Sequence, residues 1–156
     1  AVMQAAPTDS QPPEDPYIGA TFDERYEVEA VIGEGGMGMV YRCRHIVIGK
    51  TVAMKVLRPE MARNEYVTEQ FLDEARSASL IGNSHIIDII GDFGRLPDRA
   101  TYIVMEFLEG VPLTDLLQQE EVLDFRRTVK IALQLAEGLA AAHQAGIVHR
   151  DLKPDN

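Results

Sequence analysis

Tryptophan is absent from this 156-residue chain, and cysteine occurs once, at Cys43. A single thiol excludes an internal disulfide framework and fits a reducing compartment. Cys43 lies in a strand-like stretch and is expected to be partly buried. No stretch approaches 18 consecutive apolar residues, so no transmembrane helix is expected. The opening AVMQAAPTDSQPPEDP has neither the basic nor the apolar region of a signal peptide. A cytoplasmic location is the expectation. Positive charge is in short supply: 15 Lys and Arg stand against 25 Asp and Glu, a net charge of −10. That balance argues against nucleic acid and anionic membrane as partners of this segment. It also disfavours an anionic ligand, unless local cations or metal ions reverse the field at its site.

What is present falls into an ordered succession. Residues 1–16 are rich in Pro, Gln, Asp and Ala without periodicity and are expected to form a disordered tail. From Tyr26, YEVEAVIG, MVYRCRHIVIG and TVAMKVLR read as three antiparallel strands, with a turn at Gly49-Lys50 between the last two. Phe71, Ala75, Ala78 and Gly82 recur every three or four residues and predict a helix. HIIDIIGDFG and TYIVMEFLEG read as a hairpin joined by RLPDRA, which brings the sheet to five strands. After Gly110 the pattern turns helical. PLTDLLQQE is short. Asp124 is a candidate N-cap for a long helix from Phe125 to about Ala145, closed by Gly146. Its apolar face includes Val129, Ala132, Leu135, Ala136 and Leu139. The fold class is α+β.

Gly33, Gly35 and Gly38 in IGEGGMGMV have the spacing G-x-G-x-x-G. Glycines let backbone amides approach phosphates, but they equally suit a tight hairpin. A dinucleotide-binding fingerprint requires a helix after the loop, and MVYRCRH reads as strand. A Walker A loop requires Gly-Lys-Ser/Thr, and Gly38 is followed by Met39. A loop between antiparallel strands matches the lid over ATP in protein kinases. In VAMKVL, alternation puts Ala53, Lys55 and Leu57 on one face and Val52, Met54 and Val56 on the other. Either Lys55 faces solvent from an edge strand, or it faces inward and needs a carboxylate. The second reading selects Glu74, which lies between Phe71 and Ala78 on the apolar side of its helix. Asp73 and Glu69 turn toward solvent.

The last eight residues, HRDLKPDN, match the catalytic-loop pattern H-R-D-L-x-x-x-N in full. With the glycine loop, VAMK and a helix Glu in the same order, the chain resembles a protein kinase over about Tyr26–Asn156. DLKP resembles the serine/threonine class, and GEGGMG and FLDEAR resemble bacterial kinases of the eukaryotic-like type. The resemblance implies a five-stranded N-lobe with one helix and a hinge over 26–108, then the start of a helical C-lobe over 109–156. It also implies protein substrates phosphorylated on Ser or Thr, with ATP and Mg²⁺ as cofactors.

Residue roles follow from the same resemblance. Asp151 would orient the substrate hydroxyl, Lys153 stabilise the transferring phosphoryl group and Asn156 hold Mg²⁺. Lys55 would bind the α- and β-phosphates and pair with Glu74, with Gly33, Gly35 and Gly38 over the phosphates. Ile32, Val40 and Ala53 would contact adenine. Met105 resembles the gatekeeper, and Glu106, Phe107 and Leu108 the hinge. His149 would be a packing and backbone-bonding residue near Ala78 and Ile89, and Arg150 would bind a phosphorylated activation loop. Asp92-Phe93-Gly94 spells the metal-binding D-F-G but precedes H-R-D, so it is read as ordinary turn sequence. With D-F-G and the activation loop expected beyond Asn156, the 156 residues alone are expected to be poorly stable and inactive. The alternative function is a pseudokinase that binds nucleotide as a scaffold. Related kinases often carry a membrane anchor after the kinase domain.

Overall fold

A computed structural model describes residues 15–95 and 100–155. Residues 1–14 of the expected tail, part of the RLPDRA loop and Asn156 lie outside the described residues. Six strands make one antiparallel sheet: β1 (Thr21–Phe22), β2 (Tyr26–Glu34), β3 (Gly38–His45), β4 (Lys50–Leu57), β5 (Ile89–Arg95) and β6 (Thr101–Glu106). Their spatial order is β1-β2-β3-β4-β6-β5. The helices are α1 (Pro59–Ala62), α2 (Glu65–Ser79), α3 (Leu113–Glu120) and α4 (Phe125–Gln144).

The sheet corrects the expected five strands to six. β1 has two residues, too few for alternation to register, and it pairs with Tyr26 and Glu27 through a tight turn. Asp23 and Glu24 both adopt positive φ there, 47° and 54°. The β3–β4 turn also differs. It begins at Ile46, three residues before its glycine, and leaves Val47 and Ile48 exposed. Gly49, at φ 69°, closes it by donating its N–H to the His45 carbonyl at 2.8 Å. Asp92-Phe93-Gly94 is strand rather than turn, since Phe93 pairs with Ile103 and Gly94 with Tyr102. A Cβ on Gly94 would stand 2.6–2.7 Å from the Tyr102 ring, so packing demands the glycine.

The sheet is covered on both faces. Val52, Met54 and Val56 join Tyr26, Val28, Tyr41 and Cys43 in the larger cluster. Tyr17, Ala20 and Phe22, from the segment before β2, pack on it. The Tyr41 hydroxyl donates to Asp15 Oδ2 at 2.9 Å and ties this strap down. Cys43 is wholly buried rather than partly so, and burial pushes its thiol up to about 12. On the opposite face Leu57 and Ile103 meet Phe71, with Val67, Leu72 and Ala75 around them. Thus the alternation in VAMKVL serves two cores at once.

α2 starts where Asn64 accepts from the amides of Tyr66 and Val67. It ends at Ser79 with Leu80 as C-cap, so Gly82, expected within it, lies beyond, at φ 48°. α4 follows the expected limits. Asp124 accepts from the Arg127 amide at 3.1 Å, and Gly146 takes φ 77° just past the end. Its buried positions are Gly138 and Ala142. Gly138 faces the loop before β5, where an added Cβ would stand 3.3 Å from the His85 carbonyl. Val129 and Leu135, on the face expected to be apolar, are 48% and 41% exposed. Among the described residues, no helix is long and apolar enough to cross a membrane.

Gly38 is the loop glycine for which β-strand packing leaves no alternative. A Cβ there would overlap the Val56 carbonyl oxygen across the β3–β4 ladder. Gly38→Ala is expected to destabilise the fold by about 1–3 kcal/mol, as overpacking does. Denaturant unfolding measures it, and an unchanged midpoint would contradict this packing.

Candidate active site

β4, β6, α2, the end of β2 and the start of β3 enclose a cleft of about 410 Å³. Ile32 and Val40 line it from β2 and β3, Ala53 and Met105 from β4 and β6, and Leu108 from the segment after β6. Ala53 and Met105 are direct partners in the β4–β6 ladder. The lining is mainly apolar, and its cation is Lys55, with Glu74 and Glu106 as its acids.

The inward reading of Lys55 is the one the geometry shows. β4 is interior, between β3 and β6. Lys55 Nζ donates to both carboxylate oxygens of Glu74, at 3.0 and 3.1 Å. It also stands 5.5 Å from the centre of the Phe71 ring, which is buried beneath it. The Lys55 side chain is 25% exposed and Glu74 is 59% exposed, so the pair sits at the cleft wall and not in the core. Asp73 and Glu69 instead share Arg76 at 2.7 Å each, on the outer side of α2.

The glycine loop roofs this region as a hairpin. Gly33 pairs with Val40, Glu34 with Met39, and the Gly35 amide donates to the Gly38 carbonyl at 2.9 Å. The tip is anchored below, where the Arg58 amide donates to the Met37 carbonyl at 3.1 Å. Arg58 also forms an ion pair with Glu34. None of Gly33, Gly35, Gly36 and Gly38 has a positive φ, so backbone handedness does not explain them. Gly38 is required by packing, whereas a Cβ on Gly36 would meet nothing within 4 Å.

At the hinge, Glu106 makes a contact that pattern reading missed. Its amide donates to the Asp88 carbonyl at 2.9 Å, and its carboxylate accepts from the Asp88 amide at 2.7 Å. The side chain is therefore committed to fixing the strand end, which leaves the backbone after β6 for recognition. The two residues are 18 apart in sequence, and no spacing rule links them.

The terminal segment is exposed. Asp151 Oδ2 and Lys153 Nζ are 3.1 Å apart, and the Asp151 amide donates to His149 Nδ1 at 3.3 Å. His149 thus makes the expected backbone bond but is exposed, not packed. Ala78 and Ile89 line the Lys55 cleft, whereas His149 does not. Arg150 has φ 64°, an uncommon backbone for a residue with a Cβ. Such outliers collect at functional sites. Asp151 and Lys153 do not line the cleft, and Asn156 lies outside the described residues. A second cavity of about 440 Å³ lies between α3 and α4. Leu113, Leu117, Ile131 and Leu135 line it, with no cation.

With the cleft, its glycine loop and the terminal segment described, comparison with known proteins identifies the family. Residues 26–156 match the protein kinase domain family, and the chain belongs to that family. It is 42% identical over 145 residues to the serine/threonine-protein kinase pkn3 of Myxococcus xanthus, covering 93% of this chain and 26% of that one. A probable serine/threonine-protein kinase of Clostridium perfringens is 36% identical over 139 residues, 89% of this chain and 20% of that one. The crystal structure of the Mycobacterium tuberculosis PknI kinase domain superposes with a TM-score of 0.71 at 31% identity. That match covers 88% of this chain and 56% of that one. The chain therefore spans about a quarter of the length of these curated relatives. The bacterial serine/threonine-kinase resemblance and the kinase-like fold both stand.

Glu74→Gln keeps a polar partner for Lys55 and removes its charge. Because the pair is partly exposed, unfolding free energy is expected to fall by about 1 kcal/mol or less. A loss above about 3 kcal/mol in denaturant unfolding would mean that the pair is part of the core.

Proposed function

We propose that this chain is the nucleotide-binding part of a serine/threonine protein kinase that transfers a phosphoryl group from ATP to protein hydroxyls. The observation that carries the reading is Lys55, held on both carboxylate oxygens of Glu74 inside an otherwise apolar cleft. In a chain of net charge −10, such a cation has a specific reason to face inward.

The residues present fit ATP. The small Ala53 between Val40 and Met105 leaves an apolar slot for a flat base, with backbone groups of Glu106 and Leu108 at its edge. Lys55 would take the α- and β-phosphates. Open space around Gly36 suits phosphate oxygens meeting backbone amides. Mg²⁺ would be held by Asn156, and it supplies neutralisation of phosphate charge when bound.

The chain's own groups then divide the work. Glu74 keeps Lys55 extended, so no rearrangement is required when phosphate arrives. Asp151 accepts and orients the substrate hydroxyl. Lys153, 3.1 Å from that carboxylate, would stabilise charge on the transferring group. Proton transfer need not lead, because phosphoryl transfer has a loose transition state and depends mainly on positioning and charge. Arg150, in its left-handed backbone, is the candidate receiver of a phosphorylated loop. The cytoplasm is the compartment this reading expects.

The test is phosphotransfer from labelled ATP to a generic protein substrate by the full-length protein. Lys55→Met and Asp151→Asn are each expected to lower kcat by at least about a hundredfold. Asp151→Asn should retain nucleotide affinity, whereas Lys55→Met should weaken it. Nucleotide binding with no transfer by the unaltered protein would contradict the reading and favour a scaffold.

A further inference from the structure

α3 begins without the cap that helices ordinarily carry. Pro112 occupies the N-cap position and makes no side-chain hydrogen bond to the first turn. The first N–H groups of a helix need partners from elsewhere. One of them finds its partner far along the chain. The Thr114 amide donates to the Pro154 carbonyl at 3.2 Å. The Thr114 hydroxyl donates to Asp155 Oδ1 at 2.7 Å, across 41 residues of sequence. Asp155 also places negative charge at the positive end of the α3 dipole.

We propose that Thr114 is a positioning residue that fixes the 149–155 segment against the start of α3, holding Asp151 and Lys153 in their working geometry. The inference rests on the kinase reading above. A single bond would leave the segment free to swivel. Two bonds from one residue, to successive residues of the segment, restrain both its position and its rotation. The segment needs such a restraint because residues 151–155 are all exposed and carry no regular secondary structure. The Asp151–Lys153 pair and the Asp151–His149 bond are internal to the segment. These two contacts shape it. Thr114 joins that local shape to a helix. Valine is nearly isosteric with threonine but cannot donate, whereas serine can.

The experiment compares Thr114→Val, Thr114→Ser, Asp155→Ala and the Val/Ala double variant in the full-length protein. Amide hydrogen exchange over 149–155 is one readout, and kcat with the KM for ATP is the other. Thr114→Val is expected to speed exchange across the segment and to lower kcat about three- to tenfold, the range that the net contribution of one exposed hydrogen bond supplies. The KM for ATP should stay within about twofold, because Thr114 does not line the nucleotide cleft. Thr114→Ser should behave as the unaltered protein, and the double variant should lose no more than the worse single one. Unchanged exchange in Thr114→Val, an equal kcat loss in Thr114→Ser, or additive losses would overturn the proposal. Asp155→Ala, at an exposed site, gives the same comparison if Thr114→Val does not fold. If the unaltered protein transfers no phosphoryl group, the kinase reading fails, while exchange over 149–155 still decides whether Thr114 holds the segment.

Discussion

A lysine ammonium placed inside a cleft needs a carboxylate, and this requirement organises the part of the molecule on which function depends. Lys55 projects from an interior strand toward α2, and Glu74 meets it with both oxygens. To bring Glu74 there, α2 must lie across the sheet in one rotation, with Phe71 beneath the ammonium and Ala75 against the strands. The same rotation sends Glu69 and Asp73 to Arg76 on the outside. Packing and charge therefore agree on a single orientation. The apolar face supplies the stability, and the ion pair, partly exposed, contributes little to it. Its value lies in holding a cation at a chosen place.

Two cavities of similar size show why volume alone does not identify a site. The space between α3 and α4 is about 440 Å³, and the cleft at Lys55 about 410 Å³. The first is lined by aliphatic side chains with Thr128 and a single acid, Glu121, and offers an anion no cation. The second combines an apolar slot with one fixed cation under a loop of small residues. Only this combination suits a ligand with a flat base at one end and phosphates at the other. A globally acidic chain can bind such a ligand when the local field is reversed. Lys55 and the loop amides are the positive groups at this cleft, and a bound metal ion would add to them.

Much of this was legible because the relevant chemistry recurs at short spacing. Period-two alternation put Lys55 on one face with Ala53 and Leu57, and helical periodicity turned Glu74 inward. Capping chemistry set the limits of α4 at Asp124 and Gly146. What escaped depends on contacts between residues far apart. The strap formed by Tyr17, Ala20 and Phe22 is held by a bond between Asp15 and Tyr41. Glu106 is engaged by Asp88, and Thr114 by Asp155. In each case a polar side chain answers a backbone or partner group brought near only by folding. The β3–β4 turn escaped for a different reason. Ile46-Val47-Ile48 is rich in β-formers, yet Gly49 and the register with Lys50 place it in a turn. Gly94 was legible as a glycine but not for its reason, which is the Tyr102 ring.

The most direct test of the central claim is amide NMR of the chain titrated with a non-hydrolysable ATP analogue and Mg²⁺. Saturable shifts clustered at Val40, Ala53, Lys55 and Leu108, and reproduced by ATP itself, are the result this account predicts. Shifts confined to the α3–α4 cavity, or none at concentrations that saturate other nucleotide sites, would contradict it.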